Sequence, residues 1–281
     1  ATLCRDATRT VSIVRAPRGI GSSEPRGCGM TGLSLYQWLV AGVFVAAGAS
    51  FIALFFVTAP YGRHTRPGWG PTVSSRAGWV LMESPSVFLF AAVYAAGDLR
   101  AEPVSLVLLA LWMLHYVRRT LIYPFRLRSA VSPMPLSVIA MGFGFNLLNA
   151  FLNARWISHL GPYSGGAGAG WWLWIGVAVF ALGWWLNGSS DRLLIDLRSA
   201  GDSGYRIPRG GAFRWVTCPN YLGEIIEWAG YALASLSPAA LAFAVFTVAN
   251  LAPRALAHHR WYRAEFPDYP PERRALIPFL L

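Results

Sequence analysis

Three acidic residues, Glu83, Glu224 and Glu227, stand inside runs of apolar side chains. A carboxylate taken out of water there needs either a proton or a donor such as Arg or Tyr, and ionisable residues in such runs are rare and usually functional. Other polar residues recur at helical spacing. Tyr116, Arg119, Thr120 and Tyr123 stand at i, i+3, i+4 and i+7, so a regular helix would show them on one face. Asn187, Asp191 and Arg198 form a second stripe, Glu224, Glu227, Trp228 and Tyr231 a third, and Arg254, His258, Trp261 and Tyr262 a fourth. The segment 187–221 adds five arginines, Tyr205 and Asn220. Arg suits phosphate oxygens, Asp suits ribose hydroxyls and Asn suits an amide or base. The residues together suit an anionic cofactor or lipid, and a dinucleotide in particular.

The elements that must carry these residues are apolar. The chain has 281 residues, 55% hydrophobic and 13% charged, against about 25% charged in a soluble domain. Seven apolar runs are long enough, or nearly so, for the roughly 20 residues that span a bilayer core: Leu33 to Thr58, Gly78 to Ala96, Val104 to Tyr123, Met134 to Phe151, Trp171 to Leu186, Leu222 to Ser235 and Pro238 to Leu256. Open sheet edges cannot lie in lipid, so the spans are expected to be helices. Trp79, Trp171, Trp172, Trp174, Trp184 and Trp185 fall near predicted ends, as an aromatic belt would.

The formal charge is +11, and all 24 basic residues are Arg. Such a balance can mark a nucleic-acid binder, but here apolar runs separate the arginines. Seventeen fall in the segments 59–77, 117–133, 187–221 and 254–281, which seven spans would place on one side, while on the other side two fall in loops and five in the N-terminal tail. The positive-inside rule then puts the C-terminus in the cytoplasm. Residues 1–29, rich in Arg, Gly, Ser and Pro, read as disordered or as an upstream extension. The polar segment 187–198 reads as an interfacial amphipathic helix following the fifth span.

Other features carry less. Three cysteines and five histidines show no metal-ligand spacing, and His258 and His259 would project to different sides of a helix. The glycine run 165–170 departs from the G-x-G-x-x-G pattern and reads as a turn. Asn187-Gly188-Ser189 fits a glycosylation acceptor but falls on the expected cytoplasmic side.

The stretches Gly204 to Gly211, Asn220 to Trp228, Arg254 to Tyr262 and Arg274 to Phe279 closely resemble the steroid 5-alpha-reductase family. Upstream, Glu83-Ser84-Pro85-Ser86 and His115 to Tyr123 resemble the family's second- and third-span motifs, so the likeness extends from residue 78 onward. The resemblance implies an all-α membrane enzyme of seven transmembrane helices with cytoplasmic amphipathic segments. It implies hydride transfer from NADPH that saturates the 4,5 double bond of a 3-oxo-4-ene steroid. By position, Glu83 and Tyr116 resemble the pair that holds the 3-carbonyl. Arg119, Tyr123, Asn187, Asp191, Arg198, Tyr205, Arg206, Asn220, Glu224, His258 and Tyr262 resemble the NADPH contacts. Met82 stands where many members have Gln, which bears on the identity of the substrate.

The expectation is therefore a single domain over 30–281 in a membrane of bacterial inner-membrane type, its substrate part mainly 30–151 and its cofactor part mainly 116–281. It would act as a monomer on a steroid or sterol-like lipid, among membrane lipids, without metal or nucleic acid. Two other readings stand beside it. An isoprenylcysteine-type membrane methyltransferase binds a cofactor without phosphate and has no need of Arg119, Arg198 and Arg206 together. A lipid transporter would use the buried glutamates as coupling sites.

Overall fold

The computed structural model describes residues 28–127, 133–166, 170–197 and 204–281, with the side chains of 28–33 left aside. Residues 1–27 of the expected extension, 167–169 of the glycine run and Arg198 lie outside the described residues. Seven long helical segments follow one another. They are α1 (Cys28–Phe56), α2 (Ser75–Ala95), α3 (Pro103–Val117) with its continuation through a π turn (Arg118–Ile122) into the short α4 (Tyr123–Arg126), α5 (Leu136–Arg155) with a terminal π turn (Trp156–Leu160), α6 (Trp171–Asp196), α7 (Pro219–Ser235) and α8 (Pro238–Glu265). A two-residue antiparallel pair, β1 (Thr72–Val73) and β2 (Met134–Pro135), ties the approaches to α2 and α5. Six of the segments are long and apolar enough to cross a membrane. The seventh, α7, has 17 residues and carries the two acidic side chains that lower its apolar length. The chain is an all-α membrane protein.

Contacts between loops define two ends. At one end, His64 Nε2 lies 3.0 Å from His258 Nδ1, Arg63 stacks on Tyr205, Trp261 and Tyr262, and Arg118 hydrogen-bonds Asn187. At the other, Leu99 N donates to Ser158 O and the Tyr163 hydroxyl donates to Ser235 O. The arginine-rich segments thus meet at one end, as the alternation of seven spans requires.

The segment after the fifth span is not a separate interfacial helix. Residues 187–196 continue α6 without a break, because Asn187, Ser190, Asp191 and Ile195 are buried against neighbouring helices instead of lying at a lipid boundary. Helix α1 begins at Cys28, two residues ahead of the expected domain start. Trp79 also departs from the belt reading: it lies under the Arg119 guanidinium, 4.5 Å from carbon to ring centroid. Trp171, Trp174 and Trp185 are 60% or more exposed, which suits side chains at a lipid boundary.

Lipid tails are as apolar as Leu, so burial alone does not hold helices together in a bilayer; close packing and interhelical hydrogen bonds do. The α6–α7 pair shows how. Gly176 and Gly183 on α6, and Gly223 and Gly230 on α7, are each seven residues apart. A Cβ at any of the four would come within 2.2–2.4 Å of backbone nitrogen on the partner helix. The two backbones therefore touch, and this seam sets the height of Asn187 and Asp191 against Asn220, Glu224 and Glu227. Next to it, Trp112 of α3 packs against Phe90, Trp228 and Tyr231 at centroid distances of 4.4, 5.4 and 5.7 Å, and its indole N–H donates to Ser86 O at 2.8 Å.

Two local devices fit α2 and α8 to their tasks. Pro85 inside α2 removes the donor that would bond Leu81 O, and the Ser84 hydroxyl supplies it at 2.9 Å. The α7–α8 corner turns on Leu236 in the left-handed region (φ 46°), followed by Ser237, whose hydroxyl accepts from Ala240 N, and Pro238 at the first helical position.

Candidate active site

A cavity of about 570 Å³ opens between α1, α2, α3, α5, α7 and α8, within the range of small-molecule sites. Its walls are largely apolar: Ala53 and Leu54 from α1, Val57 just after it, Val138, Met141 and Phe145 from α5, Phe243 and Phe246 from α8. Its polar residues include Glu83, His115, Tyr116, Arg119, Asn146 and Glu224. Glu83, on α2, is buried. Asn146 Nδ2 donates to Glu83 Oε2 at 3.1 Å and to Met82 O at 2.8 Å, while Arg119 Nε lies 3.9 Å from Glu83 Oε1. Asn146 thus holds the carboxyl in place from the neighbouring helix α5, and nothing in the stripes of the sequence singled it out.

The π turn at Arg118–Ile122 changes what α3 presents. The expected single stripe of Tyr116, Arg119, Thr120 and Tyr123 is broken, since a π turn adds a residue and shifts the helical phase. Thr120 is fully buried with its hydroxyl toward Glu83 O at 3.5 Å. Tyr116 faces the large cavity, and Arg119 borders both this cavity and a second, polar one.

The second cleft, about 180 Å³, lies at the arginine-rich end, lined among others by Tyr61, Arg63, His64, Arg119, Tyr123, Asp191, Tyr205, Asn220, Tyr221, Arg254 and His258. A smaller recess of about 100 Å³ adjoins it, shares Arg63, Tyr123 and Tyr205, and adds Arg206 and Tyr262. Six of the eleven residues expected to hold a cofactor thus border the polar cleft (Arg119, Tyr123, Asp191, Tyr205, Asn220 and His258), and Arg206 and Tyr262 border its extension. Glu224 is placed elsewhere, in the wall of the large cavity. Asn187 borders none of the three: it accepts from Arg118 and donates to Asn220 O at 3.0 Å, tying α3, α6 and α7.

Tyr61, Arg63, His64 and Tyr221, which the sequence stripes left out, complete the cleft together with Arg254 and His258 of the fourth stripe. Arg254 donates to the Tyr221 hydroxyl at 3.1 Å, that hydroxyl lies 3.1 Å from His258 Nε2, and His258 meets His64. Burial, followed by the charges of Arg63, Arg254 and Arg66, pushes His64 down to about 4, so it is neutral at pH 7 and can share a hydrogen bond with His258. Asp191 accepts from Asn220 Nδ2 at 3.2 Å through one oxygen, and its other oxygen is buried with no partner among the described residues. Arg63 Nη1 is likewise buried without a partner. A buried acceptor and a buried cationic donor beside one cleft make a place for a ligand that carries both hydroxyls and negative charge.

A profile described as 3-oxo-5-alpha-steroid 4-dehydrogenase matches residues 132–281. The chain is 42% identical over 252 residues to the steroid 5-alpha-reductase DET2 of Gossypium hirsutum, covering 88% of this chain and 98% of that one. It is 44% identical over 223 residues to the human 3-oxo-5-alpha-steroid 4-dehydrogenase 1, covering 78% and 85%. The chain belongs to the steroid 5-alpha-reductase family. As a steroid 5-alpha-reductase family member it is an oxidoreductase acting on CH–CH bonds.

Proposed function

We propose that this protein reduces the 4,5 double bond of 3-oxo-4-ene steroids with NADPH. One observation carries the reading: Glu83 and Tyr116 border an apolar, steroid-sized cavity that shares Arg119 with the arginine-lined cleft. The similarity to the DET2 steroid 5-alpha-reductase and to the human 3-oxo-5-alpha-steroid 4-dehydrogenase 1 supports the substrate class.

The donor set suits NADPH. Arg119, Arg206 and Arg254 would face its phosphates, Asp191 through its unpartnered oxygen and Asn220 its hydroxyls, and Tyr123, Tyr205, His258 and Tyr262 its rings. Asn187 would act from behind, by holding Asn220, with Arg198 adding charge. When bound, the cofactor supplies the hydride for the substrate's β-carbon. The protein's own task lies at the carbonyl. Reduction at the β-carbon pushes charge onto that oxygen, and a donor already aimed there stabilises the enolate as it forms. Tyr116 donates its hydroxyl proton, and Glu83 donates a second when protonated, oriented by Asn146. The apolar walls exclude water and hold the ring system, which enters from the lipid between α1 and its neighbours, while the cofactor end faces the cytoplasm.

The test is direct. Purified protein given NADPH and a 3-oxo-4-ene steroid yields the 5-alpha-reduced product. Tyr116→Phe loses about 10²–10³-fold in kcat, the usual effect of removing one such donor, with NADPH binding retained. Protein that binds NADPH and forms no reduced steroid refutes the proposal.

A further inference from the structure

Reduction of an enone needs a proton as well as a hydride, and the carbonyl pair described above leaves that proton unassigned. The enolate must be protonated at its α-carbon, which is bonded directly to the carbonyl carbon that Tyr116 serves. A suitable group must border the same cavity next to Tyr116. His115 does: it lines the cavity and its ring lies 4.9 Å from the Tyr116 ring. On its other side, Nδ1 lies 2.8 Å from Glu227 Oε1. Glu227 is 0% exposed, in the middle of α7, and its Oε2 has no hydrogen-bond partner among the described residues. Arg118, a nearby cation, hydrogen-bonds Asn187 instead.

This geometry constrains where protons sit. If His115 held its single proton on Nδ1 and donated it to an ionised Glu227, the pair would carry a net negative charge on a fully buried carboxylate, with an oxygen left unpaired among the described residues. A neutral pair avoids this cost. It holds two protons, one between Oε1 and Nδ1 and one on Nε2, and Nε2 has no partner among the described residues.

We propose that the His115–Glu227 pair is the proton donor of the reaction, His115 Nε2–H protonating the α-carbon of the enolate while Glu227 positions the ring and holds the second proton. The step balances. A hydride delivered to the β-carbon would become the β C–H bond, the π pair of the double bond shifts between the α-carbon and the carbonyl carbon, and the carbonyl π pair moves onto oxygen. The Nε2–H bond then breaks as the α C–H bond forms and the carbonyl is restored. The proton between Oε1 and Nδ1 keeps the imidazole neutral, and the anionic charge rests on Glu227 until water returns one proton. His115 is a catalytic residue in this scheme and Glu227 a positioning one.

The inference rests on the reductase reading, and the experiment separates the two. Wild-type enzyme turning over NADPH and a 3-oxo-4-ene steroid in D₂O, with the product quenched and analysed at once, places one deuterium on a single face of the α-carbon. His115→Gln and Glu227→Gln reduce turnover, by about 10²–10⁴-fold for the histidine as for loss of a general acid, keep NADPH affinity, and give product deuterated on both faces. In cofactor-free protein labelled with ¹⁵N-histidine, the His115 Nε2 carries a bonded hydrogen, a signal that needs no turnover. A wild-type product deuterated on both faces, an Nε2 without hydrogen, or a His115→Gln enzyme that keeps both rate and facial selectivity overturns the proton assignment alone, the last result turning attention to Glu224 or Tyr116. Absence of any reduced product from wild type overturns the reductase reading instead.

Discussion

The α6–α7 pair and helix α1 solve opposite problems with the same residue. On α6 and α7, glycine at 176, 183, 223 and 230 lets two backbones touch, and a Cβ at each would meet partner backbone nitrogen at 2.2–2.4 Å. On α1, Gly42 and Gly48 meet nothing within 4 Å, and only 17% of that helix's apolar stretch is buried, against 61% for α8. The seam fixes groups that the proposed chemistry would use, Asn187 and Asp191 opposite Asn220 and Glu227. Helix α1 supplies a mostly apolar wall, through Ala53 and Leu54 beside Ser50. The molecule is therefore rigid where cofactor and proton chemistry are expected and loosely covered where a lipid-like substrate would lie.

The largest effect that would test this contrast belongs to the seam. In Gly183→Ala the new methyl would lie 2.2 Å from Glu227 N and 2.5 Å from Gly223 O, which are backbone atoms that cannot rotate away. Overpacking of this kind costs about 1–3 kcal/mol or more, and at roughly 2–4 °C per kcal/mol the melting temperature in detergent falls by several degrees. Because the helices must part at Glu227, the His115–Glu227 contact is disturbed and turnover falls with it. A variant that melts and turns over like the parent would mean that the seam is not rigid.

Why some of this was legible in the sequence and some was not follows from how far each feature reaches along the chain. Apolar length and arginine placement are local quantities, so the all-α membrane fold and the meeting of the arginine-rich segments at one end could be read directly. The resemblance of Asn220 to Trp228 and of Arg254 to Tyr262 to a known family fell on residues that do border the cleft or its neighbours. Packing phase is not local. The π turn at Arg118–Ile122 could not be read from a 3.6-residue period, and it is what lets Arg119 border both cavities. Asn146 looked like one polar residue in an apolar run until α2 and α5 were placed side by side. The paired glycines were visible at seven-residue spacing on both helices, but only the structure shows that the two spacings interlock. Arg63 and His64 sit in a loop with no periodicity to mark them.

That loop occupies the middle ground of the comparison, neither sealed like the seam nor open like α1, and pH should separate it from both. His64 is held at about 4 in the folded protein by burial and by Arg63, Arg254 and Arg66, whereas an unfolded histidine titrates near 6.5. The neutral form is the one the fold favours. Its contribution is fully present above about pH 6.5 and is lost progressively as pH falls from there toward 4. Melting temperature measured across that window falls more steeply for the parent than for His64→Gln, which keeps a hydrogen-bonding side chain against His258 but cannot take up the proton. Equal slopes would show that the loop is not docked on α8 at neutral pH.

The smallest effect lies on α1. Gly48→Ala adds a methyl with no neighbour within 4 Å in a helix where glycine is worth about 1 kcal/mol less than alanine. Lipid already favours the helical state, so only part of that difference should appear as stability. The melting temperature is expected to stay level or rise slightly, with kcat and KM unchanged, because Gly48 is two residues before Ser50, the first α1 residue in the cavity wall. The value of the experiment is in its pairing with Gly183→Ala. The same single-methyl change, made in two helices of one protein, should be silent in one and disruptive in the other. Equal responses would mean that backbone contact, and not glycine content, had been wrongly assigned to α6 and α7.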